Sequence, residues 1–266
     1  MRSLVDGRSV SREVAFLEGS SGEVLTWADL ASAAEEWERV AGKLGPDRRT
    51  GLQVGGALDM VGAFVGAVAA HVTVAPLDPD APHRELVGKI RALGLSSLVV
   101  DKLSEASERA ARECGVALWQ WQSGRLVRLT KGSHPAKAEA GSAALILSSS
   151  GTTGRPKLIP LTEEQLLHTA RQVVAAHELT SEDRGYSPLP LFHINALVVA
   201  VLSTLLTGGS MVVDRRFSAS AFWGVVERNR VTWINLVPGI LGALANRPAP
   251  APEVAAKVGF ARSASA

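Results

Sequence analysis

Ser148-Ser-Ser-Gly-Thr-Thr-Gly-Arg-Pro-Lys157 is the stretch of this sequence from which the fold and the chemistry can both be inferred. The apolar run Ala143–Leu147 before it predicts a buried strand, and the amphipathic run from near Leu161 predicts a helix. Gly151 and Gly154 lack Cβ atoms, so the backbone there can approach an anion closely. The free N–H groups of such a loop form an anion-binding concavity. The sequence therefore predicts a phosphate-binding loop between a strand and a helix.

Side chains of this loop add further hydrogen-bond donors. Lys157 supplies a mobile positive charge, and a hydrogen bond to a charged group contributes roughly 1.5–3 kcal/mol. A flexible Ser/Gly linker is the alternative interpretation. The flanking strand and helix, together with Arg155-Pro156-Lys157, favour the phosphate site. The stretch matches neither a Walker A motif nor a Gly-x-Gly-x-x-Gly fingerprint. The hydroxyl donors are those of Ser149, Ser150, Thr152 and Thr153.

Composition is typical of a globular protein with one large or two small domains. The chain has 266 residues, of which 46% are hydrophobic and 20% charged, and its net charge of +2 does not favour a nucleic-acid partner. The single cysteine, Cys114, excludes an internal disulfide bond. The uncharged run Met60–Leu77 is long enough to suggest a membrane span, but Gly62, Gly66 and Pro76 indicate a buried helix followed by a strand. The N-terminus lacks the apolar core of a signal peptide. We therefore expect a cytoplasmic protein without a membrane partner.

Short β-branched runs alternate with amphipathic runs along the chain, a pattern that predicts an α/β fold with parallel sheets flanked by helices. Before the loop, we expect strands at Glu13–Leu17, Glu23–Leu25, Thr50–Val54, Val72–Pro76, Ser97–Val100 and Val116–Trp121, and helices at Thr26–Lys43, Asp59–Ala70, His83–Leu93 and Ser104–Glu113. After the loop, we expect strands at Arg184–Ser187, Met211–Val213, Thr232–Val237 and Val258–Arg262, and helices at Thr162–Leu179 with Thr162 as N-cap, Ala196–Leu206, and Ser218–Arg228 with Ser218 as N-cap.

A second group of functional side chains lies in Leu189-Pro-Leu-Phe-His-Ile-Asn-Ala196. This stretch places an aromatic ring, an imidazole and an amide where an apolar helix begins. Taken alone, His193 would be interpreted as a helix-capping residue, because histidine serves packing and capping as often as chemistry.

The segment Ile146–Lys157 resembles the phosphate loop of the adenylate-forming superfamily, which includes acyl- and aryl-coenzyme A ligases, luciferases and the adenylation domains of peptide synthetases. Leu158 stands where most members have glycine. Pro190–Ala196 is similar to a segment of that superfamily that borders the acyl pocket, with Ala196 in place of the commoner glycine.

Three more segments extend the resemblance over most of the chain. Val231–Pro238 is similar to the superfamily's Val-Thr-x-x-x-x-Val-Pro segment, and Phe260–Ala266 to the strand and turn that close one side of the acyl pocket. With Arg216–Trp223, these segments are most similar to the oxalate- and malonate-type coenzyme A ligases.

The resemblance implies ATP-dependent activation of a small-molecule carboxylate to an acyl-adenylate, followed by transfer to coenzyme A. It implies that Mg2+ bridges the phosphates, which bind the ion more than the protein does. Lys157 would be the catalytic residue. An adenylation domain that loads a carrier protein is an alternative, as are a non-catalytic nucleotide- or acyl-binding module and a remnant without function. The phosphates would bind Ser149, Ser150, Gly151, Thr152, Thr153, Gly154 and Lys157, and the carboxylate would face Phe192, His193, Asn195, Ser263 and Ala264.

The resemblance runs from about Gly22 onward and covers only the front part of much longer enzymes. The segments that hold adenine and ribose, the hinge and the C-terminal domain with its catalytic lysine have no counterpart in this sequence. We therefore expect a truncated N-terminal AMP-binding domain over residues 1–266, with one subdomain at 46–180 and another formed by 1–45 with 181–266. Such a chain is expected to be an inactive portion of a longer ligase, whose missing C-terminal region is its partner.

Overall fold

The computed structural model describes residues 1–45, 48–133, 143–149 and 157–264. Its strands are β1 Val14–Glu18, β2 Val24–Thr26, β3 Arg49–Gln53, β4 Thr73–Pro76, β5 Ser97–Val100, β6 Ala117–Gln122, β7 Arg125–Thr130, β8 Ala143–Ser149, β9 Lys157–Thr162, β10 Arg184–Ser187, β11 Ser210–Val213, β12 Trp233–Leu236 and β13 Phe260–Ser263. Its α-helices are α1 Arg2–Asp6, α2 Trp27–Ala41, α3 Ala57–Ala69, α4 His83–Leu93, α5 Glu105–Cys114, α6 Glu163–Ala176, α7 Ser203–Thr207, α8 Phe222–Arg228, α9 Pro238–Ala245 and α10 Pro252–Ala255, and a π-helix covers Asn195–Leu202.

The strands form two sheets that are mainly parallel. The seven-stranded sheet has the order β7-β6-β5-β3-β4-β8-β9, in which β7 and β9 are antiparallel to their neighbours. The six-stranded sheet has the order β13-β12-β10-β11-β1-β2, in which β2 alone among the described strands is antiparallel to its neighbour. The predicted α/β class with parallel sheets is confirmed.

The chain divides into two compact units. The first comprises Met1–Val10 and Ala28–Gln165, and the second comprises Ser11–Trp27 and Leu166–Ala266. These boundaries differ from the predicted subdomains 46–180 and 1–45 with 181–266. From Ala28 onward, helix α2 belongs to the first unit: Trp37 stacks on Trp121, with ring centroids 6.2 Å apart, and Glu36 accepts a hydrogen bond from the backbone of Leu126.

Helix α3 is the central buried helix of the first unit. From Met60 onward it belongs to the uncharged run that raised the question of a membrane span, and eleven of its thirteen residues are buried. Its Gly66 packs so closely against α2 that a Cβ atom would lie 2.9 Å from the backbone of Ala33 and 2.6 Å from the ring of Trp37. The prediction of a buried helix followed by a strand is confirmed, and no helix within the described ranges is long and apolar enough to cross a membrane.

The segment after the loop differs from the prediction. Residues Lys157–Thr162 form strand β9, antiparallel to β8, whereas the sequence analysis predicted no strand between the loop and the helix. Pro160 is compatible with a strand here because β9 lies at the edge of the sheet. Helix α6 begins only at Glu163, and Thr162 caps it as predicted: its hydroxyl accepts from the N–H of Gln165 at 3.2 Å, while the Gln165 side chain accepts from the N–H of Thr162 at 2.9 Å.

Two further predictions are corrected in the second unit. Helix α8 begins at Phe222 rather than at Ser218, and the Ser218 hydroxyl lies near the hydroxyl of Ser220 instead of capping the helix. The predicted apolar helix is present, but its first part is π-helical and its last part is α7. It ends at Gly208, whose φ of 79° needs a residue without a Cβ atom.

Candidate functional site

The predicted phosphate loop connects β8 to β9. Strand β8 pairs with β4 on one side, where Val74 is the register partner of Leu145, and with β9 on the other. Ser149 and Lys157 are register partners in the β8–β9 ladder, so strand pairing holds the two ends of the loop opposite each other. Five of the predicted phosphate-binding residues lie outside the described residues: Ser150, Gly151, Thr152, Thr153 and Gly154.

A second candidate site lies at the carboxyl ends of β10, β12 and β13. The chain passes from β10 to β11 on one side of β10 and then crosses to β12 on the other, so β10 and β12 flank a reversal of strand order. In open α/β sheets, ligands bind outside the carboxyl ends of strands at such a reversal. The polar residues at the ends of these strands are therefore candidates for ligand recognition.

Ser187, Asn235 and Arg262 occupy these strand ends. Asn235 is the register partner of Arg262, and both Asn235 and Ser187 are fully buried. The Asn235 amide group donates to the Ser187 hydroxyl at 3.3 Å, and the Asn235 Oδ1 accepts from Arg262 Nη1 at 3.2 Å. Hydrogen bonding thus satisfies the buried amide at both ends, as its burial requires.

Asn195 joins the same group of side chains from the first turn of the π-helix. Its Oδ1 accepts from Asn235 Nδ2 at 3.3 Å and from Arg262 Nη1 at 3.4 Å, while its Nδ2 donates to the carbonyl of Ala264 at 3.4 Å. The structure therefore brings together two of the predicted substrate-binding residues, Asn195 and Ala264, through the side chain of one and the backbone of the other. We call Ser187, Asn195, Asn235 and Arg262 the polar cluster.

Arg262 is the charged member of the polar cluster. Its side chain is half-buried, and this burial lowers the pKa of its guanidinium from the usual value. Near it, the His177 ring stacks on Phe260 with centroids 4.5 Å apart, and burial together with the charge of Arg262 lowers the pKa of His177. The electrostatic environment of the polar cluster is therefore set by a cation.

The turn before the π-helix presents the other predicted substrate-binding residues. Leu189 and Leu191 are buried and anchor the turn, whereas Phe192 is half-buried and His193 is exposed, with their ring centroids 4.4 Å apart. The carbonyl of His193 accepts from the N–H of Leu197 at 3.2 Å. His193 thus contributes its backbone to the helix start and leaves its imidazole outside.

Ser263, the last predicted substrate-binding residue, ends β13 and is exposed. Sequence reasoning did not single out Ser187, Asn235 or Arg262 as site residues. A signal for Asn235 was present, since a polar residue inside the apolar strand Trp233–Leu236 must find hydrogen-bond partners. Within the described ranges, no three His, Cys, Asp or Glu side chains are grouped so as to hold a metal ion.

Comparison with known families gives one match over nearly the whole chain. The sequence profile described as AMP-binding enzyme matches residues 8–263. That range contains the β8–β9 hairpin with its loop and, in the second unit, the polar cluster. This match confirms the resemblance that the sequence analysis inferred from the loop and the other segments.

Individual relatives agree with the family match. The sulfoacetate–CoA ligase of Cupriavidus necator is 46% identical over 123 residues, which are 46% of this chain and 24% of that protein. The oxalate–CoA ligase of Arabidopsis thaliana is 39% identical over 126 residues, again 46% of this chain and 24% of that protein. The predicted similarity to oxalate-type ligases is thereby confirmed.

A solved structure shows the same fold over the whole chain. ATP-bound MatB from Rhodopseudomonas palustris superimposes with a TM-score of 0.81 at 21% identity, covering 100% of this chain and 55% of that one. The chain therefore spans about half the length of this structural relative.

Proposed function

Because this chain belongs to the AMP-binding enzyme family, we propose that the protein activates a small carboxylic acid with ATP and transfers the acyl group to coenzyme A. In the first step, a carboxylate oxygen attacks the α-phosphorus of ATP, and the bond to pyrophosphate breaks. In the second, the thiol of coenzyme A attacks the acyl carbon, its proton is lost, and AMP leaves. The observation that carries the proposal is the family match over residues 8–263, supported by the ligase relatives.

The loop between β8 and β9 would bind the triphosphate. Its glycines and hydroxyl residues supply backbone and side-chain donors, and Lys157 begins the strand that leaves the loop. Hydrogen-bond donors that are already in place where negative charge develops stabilise the transition state electrostatically. The paired backbones of Ser149 and Lys157 support this role, because they fix where the loop starts and ends. Magnesium, when bound, would neutralise phosphate charge and would be held mainly by the nucleotide.

The acid would bind in the second unit. Phe192 and His193 lie in the turn just before the π-helix. Asn195 begins that helix, and Ser263 and Ala264 lie at the end of β13. The named substrates of the relatives, sulfoacetate and oxalate, are small acids, which supports a small-molecule carboxylate as the substrate class.

We propose the complete reaction for the intact protein that carries these residues. The chain covers 55% of the structural relative, and catalysis in two-substrate reactions depends on groups held in mutual position, which lowers barriers by roughly 7–11 kcal/mol in favourable cases. This sequence would supply the phosphate loop and one part of the acid site. A counterpart of the C-terminal region of the family would complete the machinery.

The test is pyrophosphate exchange by the purified intact gene product with ATP, magnesium and a panel of carboxylic acids. Exchange that depends on one class of acid, together with an acyl-coenzyme A product seen by mass spectrometry, is the expected result. Acyl transfer to a phosphopantetheinylated carrier protein instead of coenzyme A would show that the protein is a carrier-loading enzyme rather than a coenzyme A ligase. A thermal shift with ATP–magnesium but no exchange with any acid would indicate a binding module and contradict the proposal.

A further inference from the structure

Arg262 is a half-buried cation whose hydrogen-bond partners within the described residues are both neutral side chains. Its Nη1 donates to the side-chain oxygens of Asn195 and Asn235, at 3.4 Å and 3.2 Å. Among the residues that the structure describes, no carboxylate lies within ion-pair distance of it. Burial of a charge is costly unless the charge is paired. The structure thus contains a positive charge in a position where an anionic ligand would be stabilised.

The guanidinium has donors left for such a ligand. Arginine presents several N–H groups in a rigid planar fork, and only Nη1 is engaged by protein atoms in the described part of the chain. A carboxylate or a sulfonate can accept two parallel hydrogen bonds from the Nε–Nη2 edge of the guanidinium. The two asparagine oxygens fix the orientation of the fork, and Asn235 is itself fixed by Ser187.

The location of Arg262 is also that of a ligand site. It stands at the carboxyl end of β13, beside β12 and the reversal of strand order at β10. Asn195 connects it to the turn that carries Phe192 and His193. Arg262 is only partly exposed, and its hydrogen bonds within the described residues are to the two asparagine side chains rather than to an acidic residue.

Two groups of an acid substrate could bind this cation: the carboxylate that reacts, or a second anionic group. The reacting carboxylate loses its charge when it becomes an acyl phosphate anhydride. A guanidinium that held it would stabilise the substrate more than the transition state and would oppose the reaction. A second anionic group keeps its charge throughout, so its bond to Arg262 positions the acid without that penalty.

Resting on the proposed function, we propose that Arg262 is the specificity residue that binds a second anionic group of the substrate. The substrate class is then short acids with two anionic groups, such as a dicarboxylate or a sulfonated carboxylate. Asn195 and Asn235 are positioning residues that orient the guanidinium. Acids that carry one carboxylate on an otherwise apolar chain are poor substrates.

The test compares acids matched in size on the intact protein: malonate and sulfoacetate against propionate. Acid binding is measured by titration calorimetry in the presence of ATP–magnesium, and turnover by pyrophosphate exchange. The wild type is expected to bind malonate or sulfoacetate at least about tenfold more tightly than propionate. Arg262→Gln should lose this preference while its affinity for propionate and ATP is unchanged. Arg262→Lys, which keeps the charge but not the fork, should retain part of it.

Arg247→Gln is the matched control, since Arg247 is an exposed arginine of the same unit. An unchanged malonate-to-propionate ratio in Arg262→Gln overturns the inference. So does an equal loss of affinity for both acids, which would assign Arg262 to the reacting carboxylate, and so does a wild type that binds neither dianion. If the dianion binds through Arg262 but no acid supports exchange, the inference stands and the proposed function fails.

Discussion

Ser149 and Lys157 are register partners across the antiparallel pair β8–β9, so their backbones lie side by side at the two ends of the connection between these strands. Strand pairing of this kind fixes the distance between the ends of a loop. The position of Lys157 is therefore set by the sheet, and its role can be tested by a change of side chain alone.

Replacement of Lys157 by alanine in the intact protein should lower pyrophosphate exchange and raise the KM for ATP. A hydrogen bond to a charged group contributes roughly 1.5–3 kcal/mol, which corresponds to about a 10- to 100-fold loss in kcat/KM. Lys102→Ala, at an exposed position of the same unit, is the control and should behave as the wild type. Unchanged exchange in Lys157→Ala would remove this residue from the phosphate site.

Replacement of His193 by alanine should change the preference among carboxylic acids, or the coenzyme A step, more than the affinity for ATP. The imidazole is exposed beside Phe192, whereas the predicted phosphate loop belongs to the other unit. We expect a change on the order of tenfold in kcat/KM for the acid, the loss of about one good contact. Exposed His168 on α6 supplies the control variant, His168→Ala. A collapse of ATP affinity with an unchanged acid preference would show that His193 does not border the acid site.

Two glycine-to-alanine substitutions in helices should have opposite effects on stability. In α3, Gly66→Ala places a Cβ atom 2.9 Å from the backbone of Ala33, and overpacking of this kind costs about 1–3 kcal/mol. In α4, Gly88→Ala meets no atom within 4 Å and should stabilise the protein by about 0.5–1 kcal/mol, because alanine favours the helix. Urea unfolding measures both values. A neutral Gly66→Ala would contradict the close packing of α2 on α3.

The stability contributed by His177 should depend on pH. Burial and the nearby charge of Arg262 lower the pKa of His177 in the folded protein below its usual value of 6.5. The unfolded chain therefore takes up the proton more readily, so this contribution is present above about pH 6.5 and is lost as the pH falls through the lower pKa of the folded state.

The measurement is the urea midpoint between pH 8 and pH 5. His177→Phe preserves an aromatic ring against Phe260 but cannot be protonated, so its midpoint should fall less at low pH than that of the wild type. Parallel pH profiles for the two proteins would show that the proton on His177 is not linked to folding.

Much of the secondary structure could be predicted from the sequence. The helix His83–Leu93 and the strands Ser97–Val100 and Arg184–Ser187 have in the structure the bounds that periodicity gave them. Periodicity succeeds here because each element buries one apolar side, and Gly94, with a φ of 61°, marks the end of the helix locally. The family resemblance, too, depends on contiguous residues.

The outcome at Lys157–Thr162 depended on tertiary structure. A short apolar run beside a helix can extend the helix or form a strand. Here it forms a strand because its backbone pairs with the edge of β8. Ser218 failed as a cap for the same kind of reason, because α8 begins where Phe222 becomes buried. Neither strand β9 nor the start of α8 can be predicted from the local propensity of these residues.

The sequence by itself determined that the chain is an α/β protein and placed its phosphate-loop motif, because hydrophobic periodicity and loop composition are local properties. Only the tertiary structure brought Asn235, Arg262 and Asn195 together, since they are distant in sequence and meet through the order of β10, β12 and β13. Strand order is set by the packing of crossover helices on the sheet, and no single segment encodes it. The charge of Arg262 was visible in the sequence, whereas its lack of an acidic partner in the described part of the chain is a property of the fold.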